Sequence, residues 1–340
     1  MIIRFWRVSF RVDMRTAAAY LCMVAATLVV GVFAISTGDY HIPLGEVVRT
    51  LLGGGTRSTY FIIETLRLPR VLTAILVGAA LGVSGAIFQS LSRNPLGSPD
   101  IIGFTTGAAT GAVLEILVFH GSTQAIALGA IVGGVATALV VYLLAFKRGV
   151  QGYRLILIGI GISAMLASVN SYLLTRANID DAETAQVWLT GSLNGRGWEH
   201  VRPISIALAV LLPAAFLLGR QMRMLEMGDD AAQALGVRAE RARLQLLLVG
   251  VALTGVAVAA AGPITFVALA APQLARRLTH APGVGLLSSA LMGMFLLSLS
   301  DYAAQRVFPS VQLPVGVATG AVGGVYLAWL LAHEWRSGRA

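Results

Sequence analysis

Hydrophobic residues fall into long unbroken blocks along this chain, not into the short alternating patches of a soluble domain. Runs rich in Ala, Leu, Val and Ile cover residues 17–36, 69–91, 100–119, 123–146, 153–174, 203–219, 283–300 and 313–333, and an over-long block covers 242–275. A helix rises 1.5 Å per residue, so about 20 such residues cross roughly 30 Å of hydrocarbon. The pattern predicts an all-α polytopic protein with a single transmembrane domain over residues 1–340. The over-long block holds Gly262-Pro263 near its middle. Proline there removes a backbone donor and clashes with the preceding turn. Breaking the block at that point predicts ten spans, the eighth of them short.

Charge agrees with an even number of crossings. Arg4, Arg7, Arg11 and Arg15 precede the first block, and Arg336 and Arg339 follow the last. Cytoplasmic segments collect Arg and Lys, so both termini are expected on the cytoplasmic side, residues 1–16 forming a basic leader to an uncleaved first span. Segment 178–200, predicted on the opposite face, carries Asp180, Asp181, Glu183 and Glu199. The formal charge of +9 therefore reads as topology and not as a nucleic-acid footprint. Composition adds that 56% of residues are hydrophobic and 12% charged, about half the charged share of a soluble domain.

The candidate chemistry is mostly negative. Lys147, the sole lysine, follows Phe146 with no glycine-rich loop, so the chain has no phosphate-binding lysine motif. Gly82-Val83-Ser84-Gly85-Ala86 lacks the last glycine of a nucleophile elbow. His41, His120, His200, His280 and His333 are scattered without ligand spacing, and Cys22 has no partner. No enzyme activity, no bound cofactor and no metal is expected of the chain itself. Ionisable residues are scarce inside the blocks, which speaks against ion-coupled carriage.

Four patterns remain. Residues 222–237, MRMLEMGDDAAQALGV, are too polar to enter lipid, yet are patterned as two short helices broken near Gly228. Asp229 and Asp230 stand where they can cap the second helix. A structured projection of this kind on the inner face suits a cytoplasmic partner. Glycines recur at helical spacing, at Gly78/Gly82, Gly103/Gly107/Gly111, Gly129/Gly133 and Gly316/Gly320/Gly324, a pattern of close helix contact in lipid. The fifth block offers Gly159, Ser163, Ala167 and Asn170 on one face, which can line a hydrated pathway or bond a neighbouring helix. Arg67 and Arg70 flank Pro69 at the outer start of the second block, as interfacial anchors or as a docking patch for an acidic partner. In addition, ILVGAAL at 75–81 matches LLVGVAL at 247–253 in five of seven positions. An inverted repeat and chance similarity both account for that match.

The strings RLPRVLTAILVGAALGVSGAIFQSLSRNPLGSPDIIGF, MRMLEMGDDAAQALGV and QLPVGV resemble the membrane subunits of iron-siderophore and vitamin B12 importers, the FecCD-type ABC permeases, over residues 17 to 333. Within that family the ferric-enterobactin permeases are most similar, through FQSLSRNPLGSPD, GSLNG and EMGDDAAQALGV. The resemblance implies a type II importer fold in a bacterial inner membrane, carrying a ferric siderophore of catecholate type. Haem, a hydroxamate siderophore and cobalamin remain alternative cargoes of the same family, and an ion-coupled secondary transporter is a distant alternative function. It implies a second permease subunit forming a heterodimer, two cytoplasmic ATPases that use ATP and magnesium, a periplasmic siderophore-binding protein, and no nucleic acid. Carried over by position, Leu225, Glu226, Met227, Gly228, Asp229, Asp230, Ala234, Leu235 and Gly236 would couple to the ATPase. Arg67 and Arg70 would meet the binding protein; a third family arginine falls at Gln305, with Arg306 beside it. Gln151, Gly152 and Tyr153 match the inner gate, and Gly159, Ser163 and Asn170 the pathway.

Overall fold

A computed structural model describes residues 2–5, 8–11, 14–38, 40–146, 152–280, 283–307 and 312–336. A short antiparallel hairpin, β1 (Ile2–Phe5) and β2 (Val8–Arg11), precedes a bundle whose regular elements, among the described residues, are all helices. The helices in order are α1 (Met14–Ser36), α2 (Leu44–Leu51), α3 (Arg57–Tyr60), a π-helical stretch (Phe61–Arg67), α4 (Leu68–Ser92), α5 (Phe104–Leu117), α6 (Thr123–Ala145) and α7 (Gly152–Arg176). There follow α8 (Ile179–Thr190), α9 (Trp198–Glu226), α10 (Asp229–Ala234), α11 (Ala239–Ala261), α12 (Val267–Thr279), α13 (Leu286–Ala304) and α14 (Val315–Arg336).

The ten longest helices coincide with the ten predicted blocks, and the break at Gly262-Pro263 separates α11 from α12. Among the described residues seven helical stretches are long and apolar enough to cross a membrane alone, and α5 and Val315–Tyr326 of α14 are shorter apolar helices; α12 is neither. The predicted block 100–119 shortens to α5, because Gly103 takes a left-handed turn (φ 92°) and the helix begins only at Phe104. Sequence patterning also missed α8 and the π-helical stretch, both of which are short and weakly patterned.

Helix α4 is the centre of the bundle, with 83% of its most apolar window buried. It packs on α9, α11, α12 and α13. Glycines permit that crowding. A Cβ on Gly78 would strike the carbonyl of Gly293, one on Gly82 that of Ser289, and one on Gly85 that of Ala268. Gly107 and Gly111 meet Gly133 and Gly129 in the same way, joining α5 to α6. The α14 series divides: Gly316 abuts the Thr190 carbonyl as expected, Gly320 only touches Thr265 and Gly324 faces open space, while Gly323, outside the series, meets Phe266. In lipid, where little hydrophobic force acts between helices, such backbone contact supplies much of the association.

Several buried polar groups are paired across the same core. Ser84 Oγ lies 2.9 Å from the Gly250 carbonyl and 2.7 Å from Thr254 Oγ1, tying α4 to α11. Gln273 Nε2 donates to Gln89 Oε1 at 2.9 Å, and Gln89 Nε2 to the Leu269 carbonyl at 3.0 Å. Large apolar side chains on the periphery, such as Leu21, Met165 and Leu217, point outward, as lipid-facing positions do.

Candidate functional site

The polar segment between α9 and α11 forms one end of the bundle. Residues 220–226 contain no helix breaker, so α9 runs on to Glu226, and only the second of the two expected short helices stands apart as α10. Gly228 (φ 113°) makes the break. α10 closes with the Gly236 amide donating to the Gln233 carbonyl and the Val237 amide to that of Ala232, both at 2.9 Å. This is a Schellman closure, with Gly236 in the left-handed position (φ 82°).

Asp229 does not cap α10: Gly228 occupies the cap position without a side-chain bond. Arginines capture the carboxylate instead. Arg243 Nη2 donates to both its oxygens at 3.0 Å, and Arg93 Nη2 to Oδ1 at 2.5 Å. Arg93 stands in a left-handed turn that ends α4, and its Nε and Nη2 also donate to the Leu225 carbonyl. Burial pushes the Asp229 carboxyl up, but bonds and charge from Arg243 and Arg93 outweigh it and hold the group below the usual carboxylate range. The segment is thus pinned to α4, α9 and α11 at one carboxylate.

This geometry divides the nine candidate coupling residues. Leu225 is buried, Gly228 and Asp229 are half-buried, and Glu226 lines a polar cavity of about 210 Å³ with Gln89, Arg93 and Arg276. Met227, Asp230, Ala234, Leu235 and Gly236 are exposed. One set anchors; the other is presented.

Arg67, Arg70 and Arg306 line a single cleft of about 670 Å³ at the opposite end, together with Gln305, Gln312 and Glu199. The widened π-helical turn ahead of Arg67 is held by Trp198 Nε1 donating to the Glu64 carbonyl at 2.8 Å. The first two arginines already have work inside the chain. Arg67 donates to the carbonyls of Ile35 (2.7 Å) and Tyr40 (2.6 Å). Arg70 forms a two-pronged pair with Asp301, Nε to Oδ2 at 3.0 Å and Nη2 to Oδ1 at 2.8 Å, with side-chain exposures of 14% and 3%. Gln305 donates to the same Asp301 at 2.9 Å. Arg306 is exposed, its guanidinium 5.6 Å from the Tyr302 ring centre. Arg196, which no motif flagged, lines this cleft too.

The small and polar stripe of α7 lies largely against its neighbours. Gly159 abuts Ile102, Ser163 Oγ donates to the Gly159 carbonyl at 2.8 Å while pressing on Gly103, and Asn170 is buried. Gly152 abuts the Ser92 backbone and Tyr153 is exposed. Gln151 lies outside the described residues. Within this chain Gly159 and Ser163 pack α7 onto the turn leading into α5, whereas Ala167 of the stripe is exposed, as are Leu157, Ile160, Met165, Ser168 and Ser171. Among the described residues no cluster of three His, Cys, Asp or Glu could hold a metal.

Residues 26–333 match the model of the FecCD transport family. The chain is 49% identical over 325 residues to the ferric enterobactin transport system permease protein FepG of Escherichia coli K12, covering 96% of this chain and 98% of that one. It is 37% identical to the achromobactin transport system permease protein CbrC of Dickeya dadantii, covering 98% and 97%. Its fold superposes with TM-score 0.80 and 27% identity on an inward-facing metal-chelate type ABC transporter, over 93% of this chain and 99% of the other. With its polytopic helices, its glycine-packed centre and its pinned polar projection, the chain belongs to the FecCD transport family.

Proposed function

We propose that this protein is the permease subunit of an ATP-driven, binding-protein-dependent importer that carries a ferric siderophore, of the enterobactin-like catecholate type, across a bacterial inner membrane. Near-full-length identity of 49% to an enterobactin permease, against 37% to an achromobactin permease, carries the cargo assignment. The chain performs no covalent chemistry; two partner ATPases use ATP and magnesium. A second permease subunit completes the pathway, and a periplasmic siderophore-binding protein delivers cargo to the cleft bearing Arg67, Arg70 and Arg306. Both termini and α10 face the cytoplasm.

Geometry supports the coupling role. A push on the exposed Asp230, Ala234, Leu235 and Gly236 passes through Asp229 to Arg93, at the end of central α4, and to Arg243, in the first turns of α11. A salt-bridged strut of this kind moves as a unit with the helices it joins. On the opposite face, Arg67 and Arg70 shape the cleft from within while Arg306 is the arginine most available to a carboxylate partner.

The test is uptake of iron-55 ferric enterobactin into proteoliposomes holding the chain with its partner subunits and binding protein. Uptake that requires both ATP and binding protein is expected. An assembled, ATP-hydrolysing complex that ignores this chelate would reassign the cargo, and uptake driven by an ion gradient without ATP would overturn the reading.

A further inference from the structure

A second concavity, of about 790 Å³, opens on the flank of the bundle near the end that bears the arginine cleft. Helices α6 and α9 each pack on α11 yet splay apart over it. The groove between them has Leu128 and Ile131 on one wall, Ile204 and Ala207 on the other, and the small Val256 and Ala259 as its floor. Leu128 is 62% exposed. An open apolar trough over helices that long and apolar suits an acyl chain.

Its head end is polar in a particular way. Arg196 donates from Nε to the Ser192 carbonyl at 3.2 Å and faces His200 Nε2 at 2.9 Å. Glu199 attracts it from beyond ion-pair distance among the described residues. Burial presses the guanidinium away from its charged form, so the site gains from an incoming anion. Arginine can only donate, which makes His200 Nε2 the acceptor and the imidazole neutral. His200 Nδ1 lies 3.2 Å from Glu199 Oε1, on a carboxylate that is 64% exposed. One cation, one neutral ring and one anion therefore sit in sequence at the head of an apolar trough.

We infer that this groove binds one phospholipid with a zwitterionic amine headgroup, phosphatidylethanolamine in class. The phosphodiester bonds Arg196, the ammonium faces Glu199, and an acyl chain lies between α6 and α9 on the floor of α11. The cluster's net charge is zero and so is the headgroup's. A purely anionic headgroup would set its phosphate on Arg196 but bring no cation to Glu199, which otherwise has, besides His200, only the backbone N–H groups at the start of α9 and the charge of Arg196.

The full chain, purified in detergent with phosphatidylethanolamine, phosphatidylcholine and phosphatidylglycerol supplied equally, is examined by native mass spectrometry. One phosphatidylethanolamine should survive desolvation on the wild type. Arg196→Gln should reduce that occupancy roughly tenfold, the size expected for one charge-assisted bond. Leu128→Trp keeps the charges but fills the trough, and should exclude the lipid equally. Glu199→Gln should erase the preference over phosphatidylglycerol. Glycerophosphoethanolamine, which has the headgroup without chains, should fail to displace the lipid at millimolar concentration. Unchanged occupancy in both Arg196→Gln and Leu128→Trp overturns the assignment. So does displacement by the soluble headgroup, which would make the site a phosphate pocket and not a lipid site.

Discussion

Gly236→Glu separates partner contact from folding at the coupling segment. Gly236 holds φ 82°, and a Cβ built there meets nothing within 4 Å. The glutamate side chain therefore creates no internal clash. Its intrinsic cost is that of placing an L-residue in the left-handed region, about 1–2 kcal/mol, which lowers thermal stability by only a few degrees. If the exposed end of α10 seats in an ATPase cleft, the new carboxylate is buried there without a counter-charge. That penalty is several kcal/mol, and at roughly 1.4 kcal/mol per tenfold it should reduce ATP-driven uptake by at least about 100-fold. Gly236→Asn is the matched control, since asparagine tolerates the left-handed position; it should keep most uptake. The assay pairs proteoliposome uptake with thermal unfolding and with co-purification of the ATPase. Wild-type uptake by Gly236→Glu would refute the seating of α10. Equal loss in Gly236→Asn would show that the backbone conformation, and not the contact, had been tested.

Further outcomes follow from the same contacts. Asp229→Asn should destabilise the chain by about 1 kcal/mol, a surface-pair value since Asp229 is 42% exposed. Because the folded pKa is depressed, that stability is present above the unfolded carboxylate value near 3.9 and lost as pH falls through the folded one. The gap between wild-type and Asp229→Asn melting curves should close below about pH 4. Arg70→Gln leaves Asp301, which is 3% exposed, with the Gln305 bond but no counter-charge and should cost about 3 kcal/mol, whereas Arg306→Gln should leave the melting temperature unchanged and weaken binding-protein docking, read by surface plasmon resonance. A melting temperature unmoved by Arg70→Gln would contradict its structural role. Gly82→Ala forces a methyl onto the Ser289 carbonyl and should destabilise by about 1–3 kcal/mol; Gly324→Ala, in open space, should be silent within about 0.5 kcal/mol. Equal effects would remove the distinction drawn between the two glycines.

The sequence by itself determined the membrane class, the positions of the ten long helices and the break at Gly262-Pro263. These depend on local quantities: the length of an apolar run and a backbone donor missing from proline. It also located the polar projection at 222–237 and the glycines that let α4 pack against α13. Side-chain partners were invisible to it, because they join residues far apart in the chain. Asp229 reads as a helix cap until folding brings Arg93 and Arg243, 136 and 14 residues distant, to its carboxylate. Arg70 reads as a docking cation until Asp301, 231 residues away, takes both its prongs. Small residues at helical spacing on α7 are equally suited to a pathway and to packing, and only the approach of Gly103 shows which neighbour they meet. The flank groove had no linear signature at all. It exists because α6 and α9 share α11 as a support without touching along their length, and that spacing is set by the bundle as a whole.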